Sequence, residues 1–277
     1  PPIIIPDIGK GEETKVQKTI QAYHEVAKKI AELKPKTIIF ISPHHLMYQD
    51  YFHISPDKEG FGSLMQFGSK IKFNIQYHPK FLEVFNHKFS DFPAGELGKN
   101  STDLDHGIMV PLYFINKYYQ NFNVIRISLS GLSLNQHKVF GKKIDETMKE
   151  IEDDYVVVAS GDLSHKLKES GPYGYVKEGP IFDHEIIKHI ENGDFDAMTN
   201  MNASLYQKAA ECGLRSFVIL GGILDGRFYE SKLHSYEGPF GVGYAVGSFI
   251  ITDPYVWLAK TTIRYQIHHS KQLDRPK

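Results

Sequence analysis

Residues Thr37-Ile38-Ile39-Phe40-Ile41-Ser42 form an apolar, β-branched run that stops at Pro43-His44-His45. A strand that is apolar on both sides must be covered on both sides, so helices should lie on each face of its sheet. Residues 123–129 and 155–160 repeat this pattern, and each strand is followed or preceded by an amphipathic stretch. Val16, Ile20, Tyr23, Ala27, Ile30 and Leu33 recur at helical spacing within 12–34, and a second helix is expected over 135–152. Strands alternating with helices predict a three-layer α/β/α domain with a mostly parallel sheet, in which ligands sit beyond the carboxyl ends of the strands.

Several finer expectations follow. The opening Pro1-Pro2-Ile3-Ile4-Ile5-Pro6 reads as a short strand bounded by prolines, and 51–76 as a hairpin-type excursion with a glycine-rich turn. Helices are expected at 78–92, 106–119, 180–192, 203–211 and 214–225. Strands near 228–235 and 241–252 should close the sheet. Residues 166–180, rich in Lys, Gly, Pro and Tyr, read as a long loop of the kind that often covers a site. Asp253-Pro254 starts a terminal helix and a polar tail, which divides the chain into a domain over 1–252 and a segment over 253–277.

Composition narrows the partners. The 277 residues carry a net charge of −1, which provides no field for nucleic acid. Cys212 is the single cysteine, so an internal disulfide is excluded and a cytoplasmic setting is expected. No apolar run reaches the roughly 20 residues of a membrane helix, and no signal pattern opens the chain.

Three of the 14 histidines fall where a strand has just ended or a helix is about to begin: His44, His106 and His165. Each alone has a bland reading. His44 can close a loop, Asp105-His106-Gly107 can start a helix, and Ser160-Gly161-Asp162-Leu163-Ser164-His165 can cap one. Together at one end of one sheet they point to a site. A neutral imidazole binds divalent metal and also titrates near neutral pH, which suits both ligand and acid/base roles. Two histidines and a carboxylate leave open positions on iron. Glu211, in Ala210-Glu211-Cys212-Gly213, is the carboxylate candidate, and Cys212 beside it is an equally legal ligand. The glycine-rich 237–244 lacks any phosphate-binding pattern, and no Gly-x-Ser-x-Gly elbow is present, which disfavours a serine hydrolase.

Ser42-Pro43-His44, Asp105-His106-Gly107-x-x-Val110-Pro111-Leu112, Ser160-Gly161-Asp162-Leu163-Ser164-His165 and the glycine-rich 236–244 together resemble the LigB superfamily of class III extradiol dioxygenases. The nearest likeness is to its AMMECR-associated branch, related to the Memo proteins. The resemblance implies a LigB/Memo-like α/β/α fold and a non-haem Fe(II) centre, with Zn(II) or another divalent metal as the alternative. It implies an enzyme that opens a catecholic ring with O2. By position, His44 and Glu211 would be metal ligands, and His165 and His106 the catalytic acid/base and the substrate- or oxygen-contacting histidine. Cys212 stays in play because Memo-like proteins have Cys-Gly there. A first ligand histidine would precede Pro1, and an AMMECR-type domain would begin near Asp253. The resemblance also implies two alternatives: a non-catalytic metal-binding adaptor, or a metalloenzyme of another class working with a radical SAM partner. A small aromatic diol is the expected ligand, and a homo-oligomer is left open.

Overall fold

The computed structural model describes residues 1–96 and 103–252. In chain order the first half contains α1 (Pro6–Gly9), α2 (Gln17–Leu33), β1 (Thr37–Ser42), β2 (Phe52–His53), β3 (Glu59–Ser63), β4 (Lys72–Gln76), α3 (Phe81–Lys88), β5 (Ala94–Gly95) and α4 (His106–Ile115). The second half contains β6 (Asn123–Ser128), α5 (Leu134–Ile151), β7 (Tyr155–Ala159), α6 (Glu178–Asn192), α7 (Phe195–Thr199), α8 (Ala203–Ala209), α9 (Leu214–Ile223), β8 (Tyr229–Glu237) and β9 (Tyr244–Ile251).

All six residues of β1 are buried, as a two-faced apolar strand requires. It lies at the centre of a parallel sheet with strand order β6-β1-β7, in register from Thr37 opposite Asn123 and Tyr155. Ile38 and Phe40 point into a core shared with Ala27 and Ile30 of α2 and Ile108 and Leu112 of α4. Ile39 and Ile41 point into the opposite core, with Phe140 and Ile144 of α5 and Ile219 and Ile223 of α9. The predicted three layers are therefore present, with the odd and even residues of one strand serving different helical layers. Gly141 and Gly222 let α5 and α9 approach closely, because a Cβ on Gly222 would lie 2.1 Å from the Lys138 carbonyl.

Four expectations need correction. Pro1–Pro6 is not a strand: Pro2–Ile4 forms a 3₁₀ turn and Pro6 opens α1. The fixed φ of proline suits the first helical position as well as an extended segment, and here both prolines sit there. Residues 51–55 stay outside the hairpin, since β2 pairs in parallel with β5, whereas β3 and β4 form the antiparallel pair. The helix expected over 12–34 starts as a separate 3₁₀ turn, Glu12–Val16, before α2. Finally, β8 and β9 pair antiparallel with each other and, among the described residues, do not join the central sheet. The terminal helix expected from Asp253 onward, with His268 and His269, lies outside the described residues.

Buried histidines give the fold a pH dependence. Burial pushes His53 and His137 down to about 4, His106 to about 4 and His45 to about 3. Burial keeps His137 neutral, and its ring is fully used, Nδ1 donating to the Ser133 carbonyl and Nε2 accepting from Ser130 N–H. A histidine with a lowered folded-state pKa contributes stability that is complete above its unfolded value near 6.5 and is lost as the pH falls toward 4. Burial acts with the opposite sign on Asp183 and Glu211, raised to about 6 and about 7, which favour the fold as they protonate. Four histidines against two carboxylates set the balance, so the urea midpoint should drop between pH 6.5 and 4. His137→Gln should flatten that slope by up to one proton. An unchanged slope would show that His137 does not titrate in this range.

Candidate metal centre

The site is assembled where β1 and β7 end. After Ser42 the chain turns at Pro43, and His44 comes to lie over the sheet edge, exposed, with one face of its ring against His106 at the start of α4. Asp105 ties the pieces together: its Oδ1 accepts from Ser42 Oγ at 2.6 Å and from Gly107 N–H at 2.8 Å, the latter capping α4. That cap directs His106, the first residue of α4, onto His44, with ring centroids 4.1 Å apart and planes 27° off parallel. Gly107 is required by the fit, since a Cβ there would meet Ser42 Oγ at 2.5 Å.

From the other side comes the segment following β7. Gly161 has φ +154°, and a Cβ on it would lie 2.3 Å from Gly213 Cα. This close approach lays 160–165 against 209–213. Cys212 Sγ accepts the Asp162 N–H at 3.1 Å and lies 4.0 Å from His44 Nε2. Potential ligand atoms of Asp162, His165 and Cys212 all lie within 4.8 Å of one another. His165 Nδ1 makes a short hydrogen bond with the Ala210 carbonyl. A carbonyl only accepts, so Nδ1 carries the proton and Nε2 presents its lone pair toward Asp162, 3.9 Å away.

The structure thus brings together His44, His106 and His165, as the sequence predicts. Glu211 is adjacent but differently used: its Oε2 accepts the Leu214 N–H at 2.6 Å at the start of α9, and burial raises it to about 7. The side chain facing His44 is Cys212, whose thiol is pushed up to about 12, first by burial and then by the Asp162 charge. Asp162 joins this cluster although nothing in its local sequence marks it as a ligand. Its one sequence cue is its place three residues before His165 in the segment that follows β7.

As a donor set, imidazole, thiol and carboxylate around one point fit a divalent or soft metal ion. The backbone N–H aimed at sulfur would stabilise the thiolate that a metal requires. The segment 166–177, which gives way to α6 at Glu178, covers one side: Leu167 N–H donates to the Gly241 carbonyl at 3.0 Å, and Tyr173 packs edge-on against His165 with centroids 5.2 Å apart.

The fold and site define an α/β protein with a mixed histidine, thiol and carboxylate centre at its strand ends. Residues 1–247 match the family described as the catalytic LigB subunit of aromatic ring-opening dioxygenase. The chain belongs to that family. It is 38% identical over 259 residues to Protein CA_C1420 of Clostridium acetobutylicum, covering 89% of this chain but only 55% of that protein, about half its length. It is 24% identical over 237 residues to the 3,4-dihydroxyphenylacetate 2,3-dioxygenase of Escherichia coli, covering 79% and 84% of the two chains. Protein JW3007 of Escherichia coli K12 shares the fold at 14% identity, with a TM-score of 0.60 over 82% of this chain and 91% of that one. Among the described residues no helix is long and apolar enough to cross a membrane.

Proposed function

We propose that this protein is a non-haem metal-dependent dioxygenase that opens a catecholic ring with O2. The observation that carries this reading is the convergence of His44, His165, Asp162 and Cys212 at the ends of β1 and β7, in a member of a ring-opening family. His44, with Asp162 or Cys212, would hold Fe(II), which when bound supplies a Lewis-acidic, redox-active point for diol and oxygen. The protein's own contribution is proton handling. His165, with Nδ1 fixed on the Ala210 carbonyl, offers Nε2 as the base that takes a hydroxyl proton from the diol and later returns it. His106, stacked on His44 and kept neutral by burial, gives the substrate a hydrogen-bonding partner without a competing charge. Tyr173 and the loop around it shield the His165 side from water.

Anaerobic loading with Fe(II), followed by oxygen uptake across a catechol panel, tests the reading. Stoichiometric uptake with ring-fission absorbance is expected, and bound iron with no uptake on any diol would sink it. His165→Ala should lower uptake by about 10²–10⁴-fold, the usual contribution of a positioned acid/base group. Full uptake in that variant would remove His165 from the chemistry.

One observation favours a second reading, a metal-binding protein without ring-opening activity. Cys212, not Glu211, faces His44, and thiolate ligands select Cu(I) and Zn(II) over the oxygen-activating iron triad. Tight stoichiometric zinc or copper after aerobic purification, with no uptake after iron exchange, would decide for it.

A further inference from the structure

The stretch that carries His165 belongs to no helix or strand, yet its backbone amides from 163 to 167 are all paired. Leu163 N–H donates to the Gly243 carbonyl at 2.9 Å, His165 N–H to the Ala209 carbonyl at 3.1 Å and Leu167 N–H to the Gly241 carbonyl at 3.0 Å. Lys166 N–H donates to Ser164 Oγ at 3.0 Å, and that hydroxyl donates in turn to the Ala209 carbonyl at 2.9 Å. The amide immediately before His165 has a different kind of acceptor. Ser164 N–H donates at 2.8 Å to Asp183 Oδ1, a carboxylate brought in by α6.

Asp183 is 1% exposed, a depth at which a carboxylate is costly to ionise. Among the described residues no cation offsets its charge. Its partners are the Ser164 amide on Oδ1 and the Tyr236 hydroxyl, from β8, which donates to Oδ2 at 2.7 Å. The surrounding chain is shaped to admit it. Gly179 lies one turn before Asp183 on the same face of α6, and a Cβ there would lie 2.8 Å from Ser164 Oγ. A Cβ on Gly243 would overlap Asp183 Oδ2 and lie 3.0 Å from Leu163 Cβ. One glycine of the 237–244 stretch thereby makes room for a buried charge. An apolar pair of similar volume would seat α6 on β8 with no charge to desolvate. What the carboxylate adds is its hold on the Ser164 amide, and with it on the peptide that leads into His165.

We propose that Asp183, steadied by Tyr236, is the positioning residue for His165. The inference rests on the acid/base reading of His165 given above. The contacts run from β8 through α6 to the site: the Tyr236 hydroxyl to Asp183, Asp183 to the Ser164 amide, and His165 Nδ1 to the Ala210 carbonyl. With its backbone fixed at one end and Nδ1 at the other, the imidazole keeps one tautomer and one direction for Nε2. A hydrogen bond to an ionised acceptor is about twice as strong as one to a neutral acceptor. Such a joint suits a side chain that must hold its place while it gains and loses a proton.

The test follows oxygen uptake in the Fe(II)-loaded protein, Co(II) affinity, and the His165 tautomer by 15N NMR of the diamagnetic Zn(II) form. Displacing a reacting group by about 1 Å can cost about 10²-fold, so Asp183→Ala should lower kcat by about 10–10²-fold. KM for the catechol and Co(II) affinity should hardly move. His165 should be protonated at Nδ1 in the parent and a mixture of tautomers in Asp183→Ala. Asp183→Asn is the rescue: its amide oxygen accepts the Ser164 N–H and its NH2 donates to the Tyr236 oxygen, so kcat and tautomer should return toward the parent. Tyr236→Phe leaves Asp183 Oδ2 without a donor and should shift both in the direction of Asp183→Ala by a smaller factor. It carries the test if Asp183→Ala does not fold. An unchanged His165 tautomer in Tyr236→Phe would overturn the proposal, and so would equal losses of kcat and Co(II) affinity, which mark general damage to the fold. A parent with no uptake on any diol would remove the acid/base reading instead. The tautomer needs no turnover, so it would still decide whether Asp183 holds His165 in place.

Discussion

Replacing Cys212 with serine is expected to weaken metal binding by about 100-fold or more. Loss of groups that merely orient ligands already costs 10–100-fold, and Cys212 supplies one of the clustered donor atoms itself. Its sulfur lies 4.0 Å from His44 Nε2 and is clustered with Asp162 and His165. Titration with Co(II), which reports thiolate ligation by a charge-transfer band, provides the measurement. The band should be present in the unaltered protein and absent from Cys212→Ser. Glu211→Gln makes the contrast. Gln can still accept the Leu214 N–H, so this variant should bind metal normally. Because burial holds Glu211 near 7, its ionisation above that pH costs stability, and Glu211→Gln should be no less stable than the parent at pH 8. If Glu211→Gln abolishes binding and Cys212→Ser does not, the carboxylate is the ligand and the thiol assignment is lost.

The pair Glu211 and Cys212 also shows how far a sequence can be read. Neighbours in a turn point in different directions, and which one faces the centre depends on how 209–213 lies against Gly161. That is a tertiary contact with no local signature. His44 was legible because a two-faced strand and a proline locate it beyond the sheet edge, and His106 because Asp105 announces the helix that carries it. Asp162 was hidden within a segment that reads equally well as a helix start. The opening prolines suit a strand in the sequence and a 3₁₀ turn in the fold, because a fixed φ serves both. The separation of β8–β9 from the central sheet was equally illegible, since their apolar pattern states that they pair but not with which edge.

Gly161→Ala should be among the most damaging single-methyl changes at the described residues. The residue lies just beyond β7 with φ +154°, a region that an L side chain enters only under strain, and its missing Cβ would sit 2.3 Å from Gly213 Cα and 2.8 Å from Gly213 N. Both obstacles are backbone, so no side-chain rotation relieves them. The only response is to push 160–165 away from 209–213. Overpacking costs about 1–3 kcal/mol and incompatible φ adds to it, so a loss of about 3 kcal/mol or more is expected. In a chain of this size that corresponds to a Tm lowered by roughly 6–12 °C. The displacement would also lengthen the Asp162 N–H to Cys212 Sγ contact of 3.1 Å and draw the thiol from His44. Metal affinity should therefore fall together with stability. Gly213→Ala probes the same contact from the other side. Its Cβ meets the Phe217 ring edge at 2.5 Å and the Asp162 carbonyl at 3.1 Å. A ring can turn where backbone cannot, so Gly213→Ala should cost less than Gly161→Ala. Thermal unfolding and Co(II) titration of both variants check this ordering. Equal stability of Gly161→Ala and the parent would show that the two segments do not need to touch, and that the centre is organised by some other contact.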